Sequence, residues 1–276
     1  MESLGTNIKE MSMSLRINTN VEAFNAHRNL EATSSKLAKS MERLSSGFRI
    51  NRAADDAAGL AISEKLRGQI GGLDQARRNT QDGISLVQTA EGSLTEVHSM
   101  LQRVRELAVQ YQNGTLNESD RLAINSEVVQ LTDEIERIGT TAQFNNTRLL
   151  NDTAQITFQV GANDGETISV STISLGEAVG SISLASATVL ASIDEAIDNV
   201  SAQRASFGAV QNRLEHTYNN LATYQENLSA SESRIRDVDM AAEMVNFTKN
   251  QILQQAGTSM LAQAQQSPQA VLSLLR

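Results

Sequence analysis

The chain is 276 residues long, carries a net charge of −9, and contains no cysteine, no tryptophan and a single proline, Pro268. The acidic balance excludes a surface built for nucleic-acid phosphates or for insertion at an anionic membrane, and the lack of cysteine excludes disulfides and thiolate metal sites. With aromatic residues at 3%, the 40% apolar content comes mainly from Ala, Leu, Ile, Val and Met, which suits thin helical seams better than one thick core.

Proline breaks helix interiors, so the chain ahead of Pro268 is open to very long helices. No apolar run approaches the ~20 residues of a membrane span, and no cleaved leader is expected at the start; an exported product would need another route. The first helical stretch runs from Leu15 to Gly47. Leu30, Leu37 and Leu44 recur in it at the seven-residue spacing of a helix packed along a partner. Gly47 supplies a left-handed stop. A polar connector, Arg49 to Arg52, leads to Asp55 and Asp56, whose carboxylates suit the free amides of a new helix.

Further on, Val87, Ala90, Leu94, Val97, Leu101, Val104, Ala108 and Tyr111 alternate three- and four-residue steps. Ile124, Val128, Leu131, Ile135 and Ile138 repeat the pattern after the turn signal Asn113-Gly114-Thr115. These two helices are expected to fold back as an antiparallel pair. After Leu150 the period changes to two: Ile156, Phe158 and Val160, then Ile168 and Val170, flank Asn163-Asp164-Gly165. This predicts a β-hairpin over 155–171. A Ser-, Gly- and Ala-rich stretch from Ser174 to Ser186 reads as a loop with short irregular structure.

The longest helix is expected over Leu190–Ile235, roughly 70 Å at about 1.5 Å per residue. Its seam is Ile193, Ile197, Val200, Arg204, Phe207, Val210, Leu214, Thr217, Leu221, Tyr224 and Leu228, with a shortened step at Phe207–Val210. A second amphipathic stretch, Val238–Leu275, follows. Heptad spacing marks Leu30, Leu37 and Leu44 at one end and Val238, Val245 and Ile252 at the other as a candidate assembly seam, with Leu272 and Leu275 in the tail. Both ends bury little by themselves and are expected to be disordered in the monomer, folding together on assembly. The fold class is therefore mainly α: a long antiparallel helical bundle or coiled coil from the N- and C-terminal segments, with a small central β-hairpin region.

Catalytic and metal chemistry finds no support. His27, His98 and His216 are far apart in sequence with no ligand at helical spacing, Gly71-Gly72 lacks the Lys of a phosphate loop, and Asn163-Asp164-Gly165 lacks the further oxygens of a calcium loop. Neighbouring Asp55 and Asp56 diverge on a helix, so capping is the better reading than acid–base work. No enzyme activity and no cofactor are expected.

Several long blocks carry a family resemblance. Leu44–Ser63 (LSSGFRINRAADDAAGLAIS) closely resembles the N-terminal signature of bacterial flagellins, as do Arg16–Asn20, Gln81–Gly92 and Gln102–Gln110. Gly208–Glu215, Ser233–Met240 and Leu261–Arg276 match the C-terminal region of that family. The resemblance implies an extension over 1–14, then an inner coiled-coil core shared by 15–55 and 236–276. A helical domain would take 56–150 and the helix 189–235, with the hairpin and loop over 151–188. The variable outer domains of larger members would be lacking.

The resemblance also implies a structural subunit that polymerises with itself into an extracellular flagellar filament for motility. It implies export by the flagellar type III route without a cleaved signal peptide, and partners in an export chaperone, hook-associated proteins and the filament cap. Motif match places a Toll-like receptor 5 patch on Gln102, Arg103, Leu107 and Glu127. A hook–filament junction protein or another coiled-coil adaptor is the alternative, with a weaker expected match to the Ala-Asp-Asp-Ala-Ala-Gly block.

Overall fold

The computed structural model describes residues 19–274 except 181, 185 and 187, with side chains as far as Gln266. Ten elements follow one another: α1 (Val21–Ser46), α2 (Ala57–Tyr111), α3 (Glu118–Thr141), β1 (Gln143–Phe144), β2 (Thr147–Arg148), β3 (Gln155–Gln159), β4 (Thr167–Ser171), α4 (Leu175–Val179), α5 (Val189–Arg236) and α6 (Met240–Leu274). The chain separates into two compact units. One holds the residues up to Glu64 together with those from Glu232 onward; the other is Lys65–Ser231. The division falls inside α2 and α5. Among the described residues no helix is long and apolar enough to cross a membrane.

Helix ends follow local chemistry. The Asn20 side chain accepts from the Ala23 amide at 3.0 Å, which places the start of α1 at Val21. Gly47 ends it with a φ of 76°, a conformation costly for any residue with a Cβ. The two aspartates divide the work expected of both. Asp56 accepts from the Gly59 amide at 2.9 Å and caps α2, whereas Asp55 accepts from the Asn51 and Arg52 amides and closes the preceding turn. Asn117 and Asp120 form a reciprocal capping box at α3.

The longest helix is α2, 55 residues against 48 for α5, contrary to the expectation from sequence. Nothing between Ala57 and Tyr111 supplies a break, because its glycines, the Gly71-Gly72 pair included, cost only ~1 kcal/mol each against packing along the whole length. Its sheltered positions run from Leu73 and Ala76 through Val87, Ala90 and Leu94 to Val104 and Ala108 in unbroken steps of three and four. α5 runs antiparallel to it within the Lys65–Ser231 unit. Arg105 meets Asp194 at 2.6 Å, Arg204 meets Glu91 at 4.0 Å, and Arg77 donates to Gln225 at 2.9 Å.

The shortened step on α5 is absent. Ile193, Ala196, Val200, Gln203, Phe207, Val210, Leu214, Thr217 and Leu221 keep the alternation intact. Gln203 takes the slot expected for Arg204 because its amide donates to the Ser171 carbonyl at 2.8 Å, a bond that satisfies a polar side chain beside the core. Tyr224 is 46% exposed, and Gln225 sits in its place under Arg77.

α3 folds back on α2 as expected, with Ile124 and Val128 packed against Val104, Leu107 and Ala108. The hairpin β3–β4 has the expected bounds, pairing Gln155 with Ser171 and Phe158 with Ile168. Gly165 turns it at φ 85°, and the Glu166 carboxylate accepts from the Asn163 amide at 3.0 Å. That bond, with a second from the Asn163 side chain, holds the Glu166 carboxyl below the usual range. Ile168 and Val170 enter the same core as Val87, Leu94 and Phe207. Gly83 allows the close approach, since a Cβ there would lie 3.3 Å from both Leu214 and Phe158.

Three small elements, β1, β2 and α4, go beyond the sequence expectation. β1 and β2 pair across Asn145 and Asn146, both at positive φ, the turn geometry that Asn tolerates best after Gly. α4 plugs the loop region by burying Leu175 against Gly139, capped by Ser174.

Candidate assembly and recognition surfaces

α1 and α6 lie side by side, antiparallel. The Asn20 amide donates to the Ala264 carbonyl at 2.7 Å, Leu30 contacts Gly257, and Arg43 pairs with Glu243 at 3.6 Å. On α1 the sheltered positions are Ala23, Ala26, Leu30, Thr33, Leu37, Ser40 and Leu44; on α6 they are Glu243, Phe247, Asn250, Gln254, Gly257, Leu261 and Ala264. Both sets step by three and four, the spacing of a two-helix seam. Its content is thin: small and polar residues fill most layers. Among the described residues of this unit, Ile50 is the one fully buried large apolar side chain.

The row expected on α6 lies two residues from this line, midway between its sheltered positions. It followed the large apolar residues Val245 and Ile252, which are 68% and 60% exposed. Glu243, Phe247, Asn250, Gln254, Gly257 and Leu261 take the inner face instead, and Gly257, with no side chain, admits the close approach of Leu30. Leu30, Leu37 and Leu44 are half-buried as seam residues, and Val238 is half-buried with its amide donating to the Gly47 carbonyl at 3.0 Å. The Leu272 side chain, Leu275, the 1–14 extension and the start of the Arg16–Asn20 motif lie outside the described residues.

The displaced row leaves α6 with an uncovered apolar face: Met244, Val245, Ile252 and Leu253, edged by Thr248 and the Lys249 stem, form one shallow trough. Met260 continues the exposed apolar surface along α6, and Phe24 and Met41 are likewise exposed on α1.

At the base of the pair the two connectors are stitched together, a junction the sequence reading did not identify. Phe48 bridges Asp237, the Arg49 amide donates to the Arg236 carbonyl at 2.7 Å, and the Arg49 guanidinium donates to the Ile235 carbonyl at 2.6 Å. Arg236 lies over the Phe48 ring at 4.9 Å and donates to Glu64 at 2.6 Å. Two blocks nearly 190 residues apart, 186 in the Arg49–Ile235 bond, thus form one backbone-bonded corner. Lys39 contacts Asp55 at 2.6 Å and Arg52 contacts Glu42 at 2.9 Å, bracing the connector against α1.

Hydrogen bonds from Lys39 first, then from the Arg52 and Asn51 amides, draw the Asp55 carboxyl down from 3.8 to about 2. A lowered folded-state pKa contributes stability above the unfolded value and loses it as pH falls through the folded one. The connector is expected to loosen between about pH 4 and pH 2, and Asp55→Asn to remove that part of the acid response. Hydrogen exchange of the Asn51 and Arg52 amides across this range checks it.

The residues matched to a receptor patch do not all share a surface. Gln102, Arg103 and Glu127 are exposed, and Arg103 donates to Glu127 through Nε at 3.0 Å and Nη2 at 2.9 Å and to Glu106 at 3.2 Å. Glu127 foremost, then Glu106, raises the Arg103 pKa. Gln102 lies 3.0 Å from the His98 ring. Leu107 is 3% exposed, inside the α2–α3 packing.

Residues 17–155 match the family model described as the bacterial flagellin N-terminal helical region, and residues 190–275 that of the bacterial flagellin C-terminal helical region. The flagellin of Halalkalibacterium halodurans is 56% identical over 270 residues, covering 94% of this chain and 99% of its own length. That of Bacillus subtilis is 51% identical over 304 residues, covering 95% of this chain and 100% of its own. The flagellar filament 33 kDa core protein of Treponema phagedenis is 48% identical, covering 94% and 99%. With paired terminal helices, a helical unit carrying the β3–β4 hairpin and matches along nearly all of its length, the chain belongs to the bacterial flagellin family, the structural subunits of the flagellar filament.

Proposed function

We propose that this flagellin polymerises through the outward face of α6, and that α1 and α6 gain their order as subunits come together. The observation that carries the reading is the uncovered row Met244, Val245, Ile252 and Leu253 beside a seam too thin to hold two long helices alone. Repeated head-to-tail and side-to-side contacts that do not close generate a tube, not a ring. Until then the same face needs a cover, which is the role of an export chaperone. Export by the flagellar type III route, addition beneath a cap and contact with hook-associated proteins complete the reading. Salt-induced assembly followed by negative-stain electron microscopy tests it. Long filaments are expected from the full chain and none from a version lacking Val238–Arg276; soluble subunits from both would remove it in favour of a junction or adaptor role.

The exposed Arg103–Glu127 pair with Gln102 beside it supports a second role, as a ligand of Toll-like receptor 5 in the unpolymerised state. Arg103→Ala removes a charged, forked donor and is expected to weaken receptor binding about tenfold or more. Unchanged affinity in a direct binding assay would reject the role. Leu107→Ala is not an equivalent probe, because Leu107 supports the helix packing underneath.

A further inference from the structure

Sulfur in this chain is carried by methionine alone, since cysteine is absent. Methionine ordinarily serves as an adaptable filler of cores, and Met100 does so, half-buried against the core of the Lys65–Ser231 unit. The methionines described in the other unit are all on the outside: Met41 is 57% exposed, Met240 50%, Met244 50% and Met260 65%. Met240 and Met244 stand one helical turn apart, and Met244 lines the same trough as Val245, Ile252 and Leu253. Exposed methionine therefore coincides with the apolar face of α6 and the exposed part of α1.

We propose that Met41, Met240, Met244 and Met260 form an oxidation-sensitive set, and that their conversion to sulfoxide by a peroxide shuts off polymerisation of the free subunit. The inference rests on α6 being the polymerising surface. In the reaction the sulfur lone pair attacks a peroxide oxygen, the S–O bond forms as the O–O bond breaks, and the departing oxygen takes up a proton and leaves as water. The sulfur loses two electrons and the peroxide gains them. The product turns a flexible apolar side chain into a polar one whose new oxygen demands a donor. An apolar trough offers none, so burying it against a neighbour leaves that oxygen unsatisfied. With no cysteine in the chain, reversal requires an external thiol-dependent sulfoxide reductase, which removes the oxygen as water while its thiol pair becomes a disulfide.

The test treats soluble full-length protein with hydrogen peroxide, maps sulfoxide by peptide mass spectrometry, and measures filament elongation from seeds. Met41, Met240, Met244 and Met260 are expected to oxidise ahead of Met100, and elongation to fall at least tenfold. Reductase treatment should restore it. A variant with Leu at those four positions should keep elongating after peroxide, although Met1, Met11, Met13 and Met100 remain. Should that variant assemble poorly before oxidation, reductase rescue of the native chain decides in its place. Oxidised protein that elongates at the unoxidised rate, or a four-Leu variant as sensitive as the native chain, would overturn the proposal. Failure of the unoxidised native protein to form filaments would instead overturn the assembly reading beneath it.

Discussion

Replacing Val245 and Ile252 together by Asp is expected to abolish filament growth at concentrations where the native chain polymerises, while the Lys65–Ser231 unit stays folded. Both side chains stand on the uncovered face of α6, 68% and 60% exposed, and contribute nothing to the α1–α6 seam. Full burial of such a side chain is worth ~1.5–3 kcal/mol; with about a third of each already covered, roughly 1–2 kcal/mol apiece is left for a neighbour to supply. Two carboxylates forced into the contact add desolvation on top of that loss. A combined cost of about 4–5 kcal/mol per subunit corresponds to a critical concentration raised on the order of a thousandfold. The protein left unpolymerised at equilibrium with filaments measures this directly. Val245→Ala with Ile252→Ala, which removes apolar surface without adding charge, should show a rise on the order of tenfold to a hundredfold. Critical concentrations within about threefold of native for the Asp pair would mean that filaments are held by another face.

The same two residues mark where sequence periodicity stops being informative. From Val87 to Ala108 on α2 the apolar positions are the sheltered positions, because a helix packed on several neighbours buries its largest side chains, and that stretch could be read directly. In the α1–α6 pair Val245 and Ile252 point away, and the sheltered line mixes Leu30, Leu37, Phe247 and Leu261 with Ser40, Gly257, Ala264 and a charged pair, which no hydrophobic count selects. Gln203 and Gln225 in the α5 seam were missed for a related reason: each holds its slot by a hydrogen bond to a group distant in sequence, Ser171 and Arg77. The Asn145–Asn146 hairpin had a local signal, two residues tolerant of positive φ, but strands of two residues leave no alternation to flank it. The corner formed by Phe48, Arg49, Arg236 and Asp237 joins backbone to backbone and side chain to backbone, so its partners are set by the meeting of the chain ends. The motifs that reveal the family contain those residues without revealing that they touch.

Glu243 is where a single substitution should cost the paired helices most. It is 7% exposed, occupies a seam layer, and faces Arg43, whose Nε is buried with no hydrogen-bond partner among the described residues. Glu243→Ala leaves that guanidinium without its counter-charge. Breaking a buried pair typically costs 3–5 kcal/mol, and because the Arg43 side chain keeps 26% exposure the expected loss is about 3 kcal/mol. Glu243→Gln, which keeps an acceptor, should lose about half of that. Replacing both partners, Arg43→Met with Glu243→Leu, should recover most of the stability, since apolar substitutes of similar volume avoid the desolvation penalty. What it should not recover is alignment. A seam with small and polar residues in most layers has little shape of its own, and sliding α6 by one heptad would bring Asn250 to Arg43 in place of Glu243. Only the native register joins opposite charges, the use of a buried polar pair best supported in coiled coils. The absence of native cysteine makes register directly measurable. A Cβ at Gly257 would lie 3.9 Å from the Leu30 Cβ, within the span of a disulfide, so Leu30→Cys with Gly257→Cys should cross-link in assembled filaments. The expected pattern is high yield with the Arg43–Glu243 pair intact and reduced yield in the apolar double replacement despite similar resistance of its filaments to heat. Equal yields in the two backgrounds would assign register to the Gly47–Val238 corner, where backbone hydrogen bonds already tie the two strands of chain together.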